Sequence, residues 1–82
     1  MKLYPNPVSS SRFNMDYYLT RSTPISVQII DLSGRIVQEQ YLGLVHAGKH
    51  KLENDISGLP DGVYLVKMIT SEKSITNRLI IQ

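Results

Sequence analysis

The residues able to do chemistry are few. The chain of 82 residues holds two histidines, His46 and His50, seven carboxylates and no cysteine. Histidines four apart bind zinc when a helix brings them to one face. Here Gly48 lies between them in a loop-then-strand context, where the two side chains stagger, so no metal site is expected. A serine–histidine–aspartate arrangement could be drawn from His50, Asp55 and one of nine serines. No serine sits at a strand-to-helix elbow, and a domain this small leaves little room for a substrate cleft, so no enzyme is expected. Without cysteine, disulfides, thiolate metal sites and a cysteine nucleophile are excluded. Asp31, Asp55 and Asp61 stand beside turn formers, where a carboxylate accepts bonds from amides two residues on. Calcium at Asn54, Asp55 and Asp61 would require oxygen ligands at alternate positions, and that ladder is missing. Gly43, Gly48, Gly58 and Gly62 are isolated and form no phosphate-binding loop, so no cofactor or small-molecule substrate is expected.

The charges are equally quiet. Nine Lys and Arg against seven Asp and Glu give a net charge of +2, scattered rather than clustered, which does not suit a nucleic-acid module. Lys49-His50-Lys51 is the densest basic patch and reads as an exposed strand whose charges discourage edge-to-edge pairing. Tyr17 and Tyr18 point to opposite faces and Tyr64 lies in the most apolar run, so packing accounts for most of the five tyrosines. That run, Val63 to Val66, is far short of the roughly 20 residues that span a bilayer as a helix.

The elements that would position these residues are strands. Valine, isoleucine and threonine total nineteen against one alanine, and β-branched side chains favour the pleated sheet. Phe13, Met15, Tyr17 and Leu19 alternate with polar residues, as do Ile25, Val27 and Ile29. Asp31-Leu32-Ser33-Gly34-Arg35 reads as a tight hairpin with Gly34 at positive φ, and Ile36 to Tyr41 as the return strand. A loop is expected over Leu42 to Gly48, a short strand around His50 and Leu52, and a longer crossover from Asn54 to Gly62. Val63 to Thr70 is apolar on both faces, as for a central strand between two layers. Ser71 to Ser74 closes a last hairpin, and Ile75 to Gln82 pairs back. About seven antiparallel strands at this spacing predict an all-β fold, a small β-sandwich, in one domain over residues 1–82.

Four short patterns, in order, resemble one family. Leu3-Tyr4-Pro5-Asn6-Pro7-Val8 comes first, then Val27 to Val37 with Asp31, Gly34 and Arg35. Ala47-Gly48-Lys49-His50 follows, with Asp55 to Leu59 and Gly62-Val63-Tyr64, and the chain closes on Thr76-Asn77-Arg78-Leu79-Ile80-Ile81-Gln82. Together they are similar to the C-terminal sorting domain of the type IX (Por) secretion system of Bacteroidetes. The resemblance implies an immunoglobulin-like form of that sandwich, and a non-catalytic address label excised from a larger protein and covalently preceded by an N-terminal cargo domain. It implies partners too: an outer-membrane translocon that recognises the folded domain and a sortase-like peptidase that removes it after export. Localisation would be the periplasm in transit, then the cell surface or the medium.

Within that reading, Pro5, Asn6, Pro7, His50, Asp55 and Arg78 are the candidates for translocon recognition. Asp31, Gly34, Arg35, Gly48, Gly62 and Tyr64 are expected to hold the fold. Pro5 and Pro7 stiffen the entry segment. An exposed edge along Ile75 to Gln82 would let the partner add a strand there, and removing the last five residues would abolish export. The other reading is an accessory immunoglobulin-like module binding carbohydrate or protein at the cell surface, which an exposed row of aromatics on one face would favour.

Overall fold

Alternation of apolar and polar side chains along β-branched segments gives strands with one face to bury, and two sheets supply each other's cover. The computed structural model describes residues 1–82. Seven strands run in order: β1 (Lys2–Tyr4), β2 (Arg12–Leu19), β3 (Thr23–Asp31), β4 (Ile36–Val45), β5 (Gly48–Asp55), β6 (Gly62–Ile69) and β7 (Ser74–Ile81). They form a three-stranded sheet ordered β1-β2-β5 and a four-stranded sheet ordered β4-β3-β6-β7, with antiparallel pairing between strands. The fold is a small β-sandwich.

The core lies between the sheets and follows the predicted parity. Phe13, Met15, Tyr17 and Leu19 of β2 are buried, and Ile25, Val27 and Ile29 of β3 face them. Tyr64, Val66 and Met68 of β6 join Leu79 and Ile81 of β7 in the same cluster, which takes in Val8 and Ile56 from the connections. The Tyr64 hydroxyl, at the start of β6, donates to the Pro60 carbonyl at 2.6 Å and so pins the crossover beneath it.

Several expectations need correction. The return strand does not stop at Tyr41 but runs to Val45, and the predicted loop shrinks to the turn at His46 and Ala47. The register against β3 shifts between Ile25 and Ser26, leaving Leu42 as an extra residue. Gly43 beside it has φ +71°, so a glycine that reads as a loop signal instead builds a bulge within a strand. β5 spans Gly48–Asp55 because it pairs with β2 along its whole length. The predicted crossover therefore begins later, and its Ile56 is buried. The short strand β1 precedes Pro5 and pairs Leu3 with Met15. β6 is central in its sheet, between β3 and β7, but it is not covered on both sides: Leu65, Lys67 and Ile69 face outward and are only half-buried.

Phe13 is the one aromatic of this thin core with no exposure at all. Phe13→Ala is expected to remove about 3–5 kcal/mol, by lost transfer energy and the cavity left behind. Urea unfolding of the two chains measures the difference, and a loss under about 1 kcal/mol would mean that the sheets collapse onto the gap.

Candidate functional site

The segment between β1 and β2 works as a strap along the outer edge of β7. Asn6 donates from its amide nitrogen to the Arg78 carbonyl at 2.8 Å and accepts from the Ile80 amide at 3.0 Å. The Val8 amide donates to the Ile80 carbonyl at 2.7 Å, and the Gln82 amide donates to the Val8 carbonyl at 2.8 Å. Asn6 thus imitates a strand residue with its side chain, and Val8 continues the pairing as a parallel bridge to Ile81. Pro5 and Pro7 on either side have no amide hydrogen to offer a further strand. Upstream, the Asn77 amide donates to the Met1 carbonyl at 2.8 Å, so both ends of the chain lie along β7.

Four sequence candidates, Pro5, Asn6, Pro7 and Arg78, therefore come together across more than seventy residues of chain. The Arg78 side chain, on the outward face of β7, enters no salt bridge. The expectation of an open edge along Ile75 to Gln82 is corrected, because the strap occupies that edge from Arg78 to Gln82. Removing the last five residues would also take Leu79 and Ile81 out of the core, so loss of export would report unfolding as much as docking.

The other two candidates lie elsewhere, on β5, at the far edge of the three-stranded sheet from β1. His50 points inward rather than outward with Lys49 and Lys51. Its ring stacks on Tyr17 with centroids 5.3 Å apart, and its Nε2 lies 2.6 Å from the His46 carbonyl. Asp55, five residues on, takes the opposite face and accepts from the Ser57 amide at 2.9 Å. No three His, Cys, Asp or Glu side chains converge on a common point.

The fold residues divide by turn. Asp31 Oδ1 accepts from the Ser33 amide, the Ser33 hydroxyl and the Arg35 amide, at 3.0, 2.6 and 3.0 Å. Arg35 Nε reaches the other oxygen at 3.2 Å, and Gly34 turns the chain at φ +92°. Gly48 and Gly62 also lie at positive φ. Asp61, expected to cap a turn, makes no side-chain hydrogen bond. Sequence reasoning missed the outward cluster on the three-stranded sheet, where Tyr4 donates to Asp16 at 3.0 Å and Lys2 and Lys51 flank the Tyr4 ring. Its only signal is the register Lys2–Asp16–Lys51, which no local pattern reveals.

Hydrogen bonding lowers two of these carboxylates. Asp31 is held below its usual range first by the Ser33 hydroxyl and then by the Arg35 amide. Asp55 is lowered first by the Ser57 amide. A folded pKa below the unfolded value means that the folded chain binds the proton less readily. The stabilisation is then complete above the unfolded pKa of about 3.9 and is lost as pH falls through the folded value. Asp31→Asn should therefore be less stable than the parent at pH 7, with the gap closing as the pH falls below about 4. Urea midpoints measured across that range check this, and a gap independent of pH would contradict it.

A model of the family described as "secretion system C-terminal sorting domain" matches residues 2–82. No curated protein matches the chain. The match covers the strap, both sheets and the final strand. The chain belongs to the type IX secretion C-terminal sorting domain family.

Proposed function

We propose that this domain is read as a folded, non-catalytic label by the outer-membrane translocon, which contacts the strap Pro5-Asn6-Pro7 and Arg78 beside it. The family role is to direct an attached cargo through type IX secretion. What supports the finer reading is the bonding of Asn6 to both Arg78 and Ile80. It holds the start of the chain, where a preceding cargo would join, against the strand that ends it. A receptor on this edge meets the cargo junction and the C-terminal strand at once. A sortase-like peptidase acting upstream of β1 would then find its bond next to the docked edge. Cargo passes through the periplasm and finishes at the surface or in the medium.

The sandwich is immunoglobulin-like in this reading, supported by the three-plus-four division of strands and the Tyr64 hydroxyl bonded back to Pro60. His50 and Asp55 serve the fold rather than the receptor, since one packs on Tyr17 and the other caps a turn. The carbohydrate-binding alternative gains nothing from the tyrosines: exposed Tyr18 and Tyr41 stand on outward faces of different sheets and form no row.

Two substitutions separate folding from recognition. Asn6→Ala should cost about 1–2 kcal/mol, the net value of one or two hydrogen bonds. Arg78→Glu should leave the unfolding midpoint unchanged. When residues 3–82 are fused behind a periplasm-directed fluorescent protein, Arg78→Glu should lower export by roughly tenfold, equivalent to about 1.4 kcal/mol of docking. The parent fusion should reach the surface of a type IX-competent bacterium and remain in the periplasm of its translocon-deficient twin. Undiminished export of a folded Arg78→Glu chain would remove Arg78 from the docking site.

A further inference from the structure

Four strand edges bound the two sheets, and three of them are guarded. β1 is three residues long, and β7 is closed by the strap from Arg78 to its end. β5 presents Lys49, Lys51, Glu53 and Asp55 on its exposed outward face, charges that discourage pairing. β4 is the exception. It is the longest strand, at ten residues, is paired on one side only, and holds no lysine, arginine or proline.

The exposed apolar side chains gather there as well. Of the five large ones, Ile36, Tyr41 and Leu44 belong to β4 and Leu32 to the hairpin that leads into it, leaving only Tyr18 elsewhere. Opposite Ile30, Ser26 and Pro24, the three β4 residues Ile36, Tyr41 and Leu44 lie on the outward face of the four-stranded sheet. Extra residues at Val37 and Leu42 break the register at each end and leave Gln38–Tyr41 as a straight window. Bulges of this kind keep long strands from pairing indefinitely while leaving a short segment open.

We propose that β4 is a second docking edge, which receives a short extended strand of a partner protein with outward apolar residues and a lysine or arginine opposite Glu39. The charge on this edge selects that occupant. Glu39 is the only ionised side chain of β4, and Gln28 Nε2 donates to one of its oxygens at 2.7 Å, leaving the other free. A second copy of the chain fits poorly. Antiparallel pairing that keeps outward faces together and centres on this window brings Glu39 directly opposite its own copy in one register, where like charges are destabilising, and diagonally across from it, opposite Tyr41, in the other. A cation on a foreign strand turns the same position favourable. The pairing adds main-chain hydrogen bonds at the window and continues the apolar outward face onto the new strand. That this partner belongs to the export machinery rests on the functional reading above; the edge chemistry does not.

The probe is a nine-residue peptide of alternating valine and threonine with lysine at its centre, added to the isotopically labelled chain and followed by amide chemical shifts. Shifts should centre on Gln38–Tyr41, and a peptide with central glutamate should bind up to about fivefold more weakly, as an opposite-charge cross-strand pair allows. Glu39→Lys should reverse the preference. No shifts, shifts centred on β5 or β7, or indifference to the peptide's charge would overturn the proposal. In the export assay, Tyr41→Lys with Leu44→Lys places cations on this edge at exposed positions and should lower export by about tenfold or more. Tyr18→Lys, on the other sheet, should not. Equal export of the folded double variant would overturn the role in export. A parent fusion that is itself not exported would refute the functional reading, and the peptide titration would still decide the edge.

Discussion

Every backbone amide and carbonyl at a sheet edge must find water, a side chain or another strand, and this sandwich is arranged around how its edges meet that demand. A two-sheet fold of 82 residues has four such edges and no helix to cover any of them. The edge of β7 is satisfied from within. Asn6 supplies a donor and an acceptor where a strand would, and Val8 completes the pairing with two main-chain bonds. Because those four bonds join residues 6–8 to residues 78–82, they also close the sandwich along one side and settle where both ends of the chain emerge.

The core depends on that closure. Val8 carries no exposure, is bridged to Ile81 and belongs to the same buried cluster, so a strap lifted from β7 would open the cluster to water. Prolines beside Asn6 keep the strap from recruiting another strand, so the edge that joins the termini is not an edge for aggregation. The opposite side of the same sheet is managed differently. There β4 relies on two bulges and one carboxylate, a weaker defence than the lysines of β5.

Much of this is legible in the sequence, and the reason is parity. Phe13, Met15, Tyr17 and Leu19 announce their shared face because a strand alternates faces at every residue. Gly34 and Asp31 announce their turn because its geometry is local. Legibility fails where a residue's meaning depends on a distant partner. Asn6 sits between two prolines and reads as turn material, since its partners Arg78 and Ile80 lie more than seventy residues away. Gly43 reads as a loop because glycine marks both loops and bulges, and only the register with β3 tells them apart. His50 reads as basic surface beside its lysines, whereas parity places it inward against Tyr17. Of the six candidate residues, Pro5, Asn6, Pro7 and Arg78 converge on one edge, while His50 and Asp55 stand on another strand with structural partners.

The most direct test of the closed edge is native-state amide exchange at Val8, Ile80 and Gln82. Each of these amides donates in the strap pairing: Val8 to the Ile80 carbonyl, Ile80 to Asn6 Oδ1 and Gln82 to the Val8 carbonyl. All three should be protected to a degree comparable with the central β6 amides, and Asn6→Ala should release Ile80 first. Exchange of Ile80 and Gln82 at the rate of an unpaired edge in the parent chain would contradict the account, because the strap would then not be holding β7.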